Sequence, residues 1–244
     1  PASDNVGNAG NSYPDHIISN ASIQQISFQS RYNAVEPEEV AIRLYENIAN
    51  GSGLDISLMG DMRGYEDERN FAVIKKMYAL HKKFEPWFGK YQSPAQIAVI
   101  APGTWPSGDA MQEYRGVMRM LKEAHIPFDI VEDAQIANRT ERIKQYKLII
   151  LPDITYASAD VINTLKDASR GGSHLIATNK TFFDNANALQ ELFGAKIIHS
   201  DLEGSGNYLS IDNTSFFKRL KQQKMLFWKF NLGQYDLSAA DSVL

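Results

Sequence analysis

The chain has 244 residues, 43% of them hydrophobic and 11% aromatic, which is enough for one large domain or an ordinary domain plus an extra piece. Its 25 basic and 29 acidic residues give a net charge of -4, which disfavours binding to nucleic acid or anionic lipid. Cysteine is absent, so disulfides, thiolate metal sites and cysteine nucleophiles are excluded together, while the compartment stays open.

The N-terminal stretch, residues 1–22, is rich in Asn, Gly and Ser and is predicted to be a loop. It has neither the basic nor the apolar region of a secretory signal, and no apolar run in the chain approaches the roughly 20 residues of a membrane-spanning helix. Because the sequence does not begin with methionine, we expect a processed protein or a fragment.

Alternating and helical patterns predict four elements before residue 90: a strand over 23–32, a helix from Pro37, a strand over 54–59 and a helix over 71–88. In the first helix Val40, Leu44 and Ile48 recur every four residues and indicate one buried face.

Beyond a loop at residues 89–94, continuously apolar strands alternate with helices. The strands are QIAVIAPG, PFDIVED, LIILPD and HLIATN, and Ser158 is predicted to cap the helix that ends at Gly171. Such strands indicate a parallel sheet covered on both faces. The predicted fold class is therefore α/β, with a doubly wound, flavodoxin-like sheet over residues 95 to about 200.

Ligands of such sheets collect at the carboxyl ends of the strands. The first loop there, APGTWPSGDAMQEY, lacks the glycine spacing of a phosphate loop and is predicted to be a simple turn into a helix. The five histidines show no i, i+4 pairing and no nearby carboxylate cluster, so neither a metal site nor a cofactor is predicted.

The segment KLIILPDITYASADVINTLKDASRGGSHLIATN resembles the class I glutamine amidotransferase fold, whose catalytic members carry a Gly-x-Cys-x-Gly elbow after the last strand. Here the elbow position holds Thr178, Asn179 and Lys180, without cysteine or flanking glycines. A threonine nucleophile needs a neighbouring base, and His174 begins the same strand, roughly 13 Å away. We interpret this turn as a vacated elbow.

Within that group, AQIAVIAPGTWPSGDAMQEYRGVMRMLKEAHIPFDIVED is similar to the non-catalytic β-galactosidase trimerisation domain, and the similarity continues through YKLIILPD, GGSHLIATN and ELFGA. In proteins of the glycoside hydrolase family forty-two type this domain directly follows a (β/α)8 barrel. The resemblance implies a homo-oligomer and a carbohydrate ligand.

The preceding segment, ISFQSRYNAVEPEEVAIRLYENIANGSGLDISLMGD, resembles the seventh strand, its helix and the eighth strand of such a barrel, and ERNFAVIKKMYALHKKFEPWF resembles its final helix. The predicted domains are the end of a barrel (1–92), the amidotransferase-like, trimerisation-type domain (93–205), and a C-terminal extension or joint (206–244). Only about two of eight βα units are present, so an incomplete barrel is expected to leave strand edges exposed.

Retaining glycosidases need two carboxylates. By the resemblance, the acid/base lies on a strand outside this chain and the nucleophile at the end of the seventh strand, where Gln29 is the expected equivalent and an amide cannot attack. Glu36, the next carboxylate, is interpreted as a charge in the first helical turn. No catalytic residue is assigned, and the residues expected to contact sugar at the barrel rim are Gln29, Arg31, Asp61 and Arg63.

Two functions follow from these observations. The first is a non-catalytic scaffolding or oligomerisation portion of a glycoside hydrolase. The alternative is a free-standing amidotransferase-like enzyme, or a small-ligand binding module, with a non-cysteine site at the strand ends.

Overall fold

The computed structural model describes residues 2–61, 63–88, 92–103, 108–202, 206–210, 225–228 and 232–237. It confirms a mixed α/β fold with parallel sheets. The described α-helices are α1 (Ala2–Ser12), α2 (Pro37–Ala49), α3 (Phe71–Phe84), α4 (Gly108–Glu123), α5 (Thr140–Ile143), α6 (Ala159–Arg170) and α7 (Ala186–Phe193). The described strands are β1 (Ser19–Ile23), β2 (Gly53–Ser57), β3 (Ile97–Ala101), β4 (Asp129–Glu132), β5 (Leu148–Pro152), β6 (His174–Thr178), β7 (Lys196–Leu202), β8 (Asn207–Ser210), β9 (Met225–Trp228) and β10 (Leu232–Asp236).

The N-terminal part of the fold is a two-stranded parallel sheet in which β1 pairs with β2 from Ser19↔Gly53 to Ile23↔Ser57. Helices α2 and α3 cover one face of this sheet, and Val40, Leu44 and Met77 form the buried core between them. The predicted α2 face is confirmed in Val40 and Leu44, which are fully buried. Pro37 and two glutamates occupy the first turn of α2, as expected for a helix start.

The other face of this small sheet is exposed in the part of the chain that the structure describes. Along β1 the alternate residues Ser19, Ala21 and Ile23 are exposed, whereas Ser22 is buried toward the helices. Among the described residues no third strand pairs with the outer edge of either strand. A parallel pair with two free edges leaves backbone donors and acceptors available to further strands.

The second sheet has four parallel strands in the order β4-β3-β5-β6. Because successive side chains alternate, it carries an apolar core on each face. One core contains Ala98, Ile100, Ile149 and Leu151 packed against α6 and α7, and the other contains Val99, Ala101, Ile130 and Ile150 packed against Tyr114, Val117, Met118 and Leu121 of α4.

Local capping sets the ends of the last two helices. The Ser158 hydroxyl accepts a hydrogen bond from the Val161 N–H (3.4 Å), which confirms the predicted cap of α6. Asn185 caps α7 by accepting from the Ala188 N–H (3.0 Å), and Gly194 ends that helix at φ 62°, a left-handed conformation that favours glycine.

Two predictions for the N-terminal region are wrong. Residues 1–22 are not all loop, because α1 forms and packs on β4, and β1 also falls within this range. The first strand spans Ser19–Ile23 rather than 23–32. After Gln25 the chain folds back on itself, with Ile26 N–H bonded to Asn33 O (3.0 Å), so the alternating pattern continues through a turn.

The helix predicted over 71–88 ends at Phe84 and continues as a 3-10 turn through Pro86, because proline has no backbone N–H to donate to the carbonyl four residues earlier. In the C-terminal part β7 pairs antiparallel with β10, and β8 with β9. None of the described helices is both long and apolar enough to cross a membrane.

Candidate functional site

The carboxyl end of β1 carries two consecutive buried amides. Gln24 is 0% exposed and Gln25 is 3% exposed, directly after the last strand residue, Ile23. The backbone holds them in place, since Gln24 N–H donates to Ser57 O (3.3 Å) and Val35 N–H donates to Gln24 O (2.8 Å). The strand tip is therefore fixed by main-chain bonds on both sides.

Around this tip the side chains form an incomplete polar network. The Gln24 amide donates to the Tyr65 hydroxyl (2.7 Å), which in turn donates to Arg31 O (3.4 Å), and the Asn70 amide donates to Val35 O (3.0 Å). The side-chain oxygens of Gln24, Gln25 and Asn70 are buried and have no partner among the described residues. Because buried acceptors are nearly always satisfied in proteins, these three oxygens are the groups in this region that remain for additional hydrogen-bond donors.

The sequence-predicted rim residues lie apart from this network. Gln29 and Arg31 are exposed in the turn after β1, and only the Arg31 carbonyl touches the network, through Tyr65. Asp61 and Arg63 are brought together, with Arg63 N–H donating to the Asp61 carboxylate (2.9 Å), but both side chains point into solvent. Such a pair contributes little to stability.

An aromatic ring closes this end of the sheet. Gly60, after β2, has φ 121°, and a Cβ there would lie 2.8 Å from the ring of Tyr32. Only glycine permits this contact. The ring is 60% exposed, so it presents an aromatic surface in the loop that follows β1.

A second candidate region lies at the carboxyl ends of β5 and β6, where the vacated elbow was predicted. Asp153 (φ 54°), Asn179 (φ 49°) and Phe182 (φ 61°) all have left-handed backbones. Non-glycine residues rarely adopt this conformation, and it concentrates at functional turns. The backbone at Asn179 therefore keeps a sharp turn directly after the strand.

Hydrogen bonds to the end of β5 and to the loop after it hold the elbow in place. The Thr181 hydroxyl donates to Leu151 O (2.7 Å) and accepts from Ile154 N–H (3.2 Å), while Lys180 N–H donates to the Asp153 carboxylate (3.1 Å). The Thr178 hydroxyl is buried without a partner among the described residues. Thr181 is thus committed to the turn.

Tyr235 of β10, in the C-terminal part of the chain, also contacts the elbow. The Tyr235 hydroxyl donates to Asn179 O (2.6 Å), and its ring packs edge-on against Phe183. Burial raises the pKa of the Asp153 carboxyl. Burial, with the neighbouring charge of Asp153, raises the pKa of Tyr235 to about 12, so its hydroxyl stays protonated and donates.

This elbow lacks the chemistry of an activated hydroxyl. A threonine nucleophile needs a base within hydrogen-bond reach, and His174 is exposed at the opposite end of β6. Among the described residues no group of three or more metal-ligating side chains lies together. Within the described part of the chain, the hydrogen bonds hold a strained turn in place, and none of them joins the Thr178 or Thr181 hydroxyl to a side-chain base.

Several residues of both regions escaped the sequence analysis. Gln24 and Gln25 follow a short strand whose end the alternation misplaced. Asp153 directly follows Pro152, the last residue of β5. Its position at the end of a strand was the signal in the sequence that could have identified it. Tyr65, Asn70 and Tyr235 reach their sites from distant parts of the chain, and no local pattern marks them.

No protein-family model and no curated protein sequence matches the chain. Several solved structures are similar to the chain. The chain is similar to Gan42B, a GH42 β-galactosidase (TM-score 0.67, 16% identity over 96% of this chain), and to α-L-fucosidase isoenzyme 2 from Paenibacillus thiaminolyticus (0.67, 18%, 95%). It is also similar to the exo-β-1,4-mannosidase Op5Man5 from Opitutaceae bacterium strain TAV5 (0.54, 12%, 82%).

These structural neighbours are glycoside hydrolases, and at this identity the similarity shows the fold alone. The chain spans 38% of Gan42B, 35% of the fucosidase and 38% of the mannosidase.

Proposed function

We propose that this chain is a non-catalytic scaffolding and subunit-association portion of a glycoside-hydrolase-like protein. Residues 1–92 form the end of a (β/α)8 barrel, 93–205 an amidotransferase-like domain of the trimerisation type, and 206–244 an extension or joint. The observation that carries the proposal is the superposition of 96% of this chain on 38% of a GH42 β-galactosidase.

The free edges of β1 and β2 support the barrel assignment. Two parallel strands with helices on one face form the repeating unit of such a barrel, and their open edges and uncovered inner face are what an arc of a barrel presents. In a complete barrel, strands on both sides pair with these edges.

The amides at the end of β1 support a role without catalysis. The resemblance places the nucleophile at the end of the seventh strand, where Gln29 is the expected equivalent, and the first residues after β1 are also amides, Gln24 and Gln25. An amide cannot form the glycosyl-enzyme intermediate of a retaining enzyme. The elbow at Asn179 retains its turn but holds no nucleophile.

An assay and a sedimentation measurement test this function together. We expect the purified chain to release no nitrophenol from nitrophenyl β-galactoside and to sediment as an oligomer whose size grows with concentration. Release of ammonia from glutamine that a Thr178→Ala change abolishes would support the amidotransferase-like enzyme instead. A strict monomer in the full-length protein would contradict the association role.

A second candidate function is carbohydrate binding at the barrel end, favoured by the unpartnered oxygens of Gln24, Gln25 and Asn70 and by the exposed Tyr32 ring in the loop after β1. Sugar hydroxyls supply donors, and a sugar ring packs on an aromatic face. Ligand-observed NMR with galactose, fucose and mannose should detect binding that Gln25→Leu removes. The exposed Gln112→Leu variant on α4 is the matched control, and equal loss in both variants would contradict this site.

A further inference from the structure

A short irregular segment lies against the buried amides at the end of β1. This segment, residues 63–69, leads into α3, and we call it the strap. Tyr65 is buried, at 5% exposure, whereas five of the seven strap residues are exposed. In the described part of the chain, the strap makes no main-chain to main-chain hydrogen bond except to the first residue of α3. Side chains therefore hold it in place.

Two side chains of the strap reach the amides and their neighbours. The Tyr65 hydroxyl accepts a hydrogen bond from the Gln24 amide (2.7 Å). The Asp67 carboxylate accepts from the N–H of Ala34 (2.8 Å), and Ala34 is the backbone bridge partner of Gln25. The strap thus contacts one buried amide directly and the bridge partner of the other.

The outer attachment of the strap is weak, and its first turn contains a pivot. Arg69 forms ion pairs with Asp67 (2.8 Å) and Glu36 (3.2 Å), but its side chain is 45% exposed, so each pair contributes little. Gly64 has φ 72°, and no atom lies within 4 Å of the position that a Cβ would take there. An unpacked glycine changes its backbone angles without disturbing neighbouring side chains.

The buried amides make the closed strap costly. The side-chain oxygens of Gln24, Gln25 and Asn70 have no partner among the described residues, and each of these residues is at most 3% exposed. A buried acceptor without a donor lowers stability, because the same oxygen accepts a hydrogen bond when water reaches it. Movement of the strap admits water or a ligand to these oxygens and offsets that cost.

Building on the carbohydrate binding proposed above for this site, we propose that the strap is a lid. It opens about Gly64 to admit a ligand to the amides, and it closes over the hydroxyl donors of the bound ligand. Opening breaks the side-chain bonds of Tyr65, Asp67 and Arg69 and leaves β1, β2 and their two helices in place. The structure shows the closed form.

Thiol labelling tests the lid without any ligand, because the chain has no cysteine and one introduced thiol reports on its own position. Ala34 is 3% exposed, and Ala34→Cys keeps the backbone N–H that donates to Asp67. Val40 is fully buried between α2 and α3, so Val40→Cys becomes reactive only when the N-terminal sheet unfolds. The rate of reaction with dithionitrobenzoate is measured for both variants at increasing urea, below the unfolding transition.

We expect Ala34→Cys to react about tenfold faster than Val40→Cys, at a rate that hardly changes with urea, since a local opening exposes little surface. The rate of Val40→Cys should rise steeply with urea. Arg69→Ala should raise the rate at position 34 about threefold, because the strap loses two ion pairs. The matched change Arg119→Ala, which removes an exposed ion pair on α4, should leave that rate unchanged.

Equal rates for the two thiols at every urea concentration would overturn the lid, because position 34 would then become accessible only on unfolding. An effect of Arg69→Ala no larger than that of Arg119→Ala would overturn it as well. A sugar that binds should slow the labelling of Ala34→Cys several-fold, since the lid closes over it. Fast, urea-independent labelling without any binding of galactose, fucose or mannose would support the opening and contradict the carbohydrate-binding function.

Discussion

Asp129 lies buried at the start of β4, where its carboxylate accepts hydrogen bonds from Tyr146 (2.6 Å) and Arg142 (2.8 Å). Arg142 also donates to Ser93 O (3.0 Å), so the cluster ties the segment before β3 to the sheet. Burial, together with the bond to Asp129, raises the pKa of Tyr146 and keeps it a donor. These groups form a connected buried network.

Replacing Asp129 with Asn should lower the free energy of unfolding by about 3 kcal/mol, because the Arg142 cation then loses its buried partner. The matched control is Glu123→Gln, which removes the exposed partner of Arg119 and should change stability by less than about 0.5 kcal/mol. Urea unfolding measures both. Equal effects of the two changes would show that the network contributes no more than a surface pair.

Two aspartates should give pH dependences of opposite sign. The Ala34 N–H and Arg69 lower the pKa of Asp67, so its contribution to stability is present above the unfolded value of 3.8 and is lost as pH falls. Burial raises the pKa of Asp153, so the fold favours the protonated carboxyl. This contribution to stability is present below the unfolded value of 3.8 and is lost as pH rises through the raised pKa of the folded state.

We therefore expect the stability difference between wild type and Asp67→Asn to grow from about pH 3 to pH 6, and that between wild type and Asp153→Asn to shrink over the same range. Urea midpoints at several pH values give both curves. Parallel curves would rule out this assignment of the two carboxyls.

Among the secondary-structure elements, α6 has a boundary that one side chain defines. Ser158→Ala should destabilise the protein by about 1 kcal/mol, since the Val161 N–H loses its acceptor. Ser169→Ala makes the same chemical change at an exposed position inside α6 and should alter stability by less than about 0.5 kcal/mol. Thermal and urea unfolding of both variants would show no difference if the cap contributed nothing.

Elements with a strong local signal were predictable. Local signals in the sequence indicated two helices. Pro37 with the two glutamates that follow it and the spacing of Val40 and Leu44 predicted α2, and Ser158 predicted the start of α6. Helix α1 was missed because its stability comes from packing on β4 and α2 and from the Asp4–Lys122 ion pair, all of them distant in the sequence. The strand end at Ile23 was misplaced because the alternation runs on through a turn set by long-range bonds to Val35 and Ser57.

At the scale of the whole molecule, the same distinction separates the two candidate regions. The elbow position could be located from its place after an apolar strand, and its left-handed backbone is a feature that only coordinates reveal. The amide network at the barrel end combines Gln24, Tyr65 and Asn70 from three separate segments, and no spacing in the sequence brings them together.

The central proposal, that this chain is the end of a barrel joined to an association domain, is tested most directly by the mass of the natural polypeptide. Intact mass spectrometry on protein purified from its source should give a mass well above 27.4 kDa, with the excess upstream of β1 accounting for about three quarters of a barrel of about 250 residues. A natural polypeptide of 27.4 kDa would contradict it.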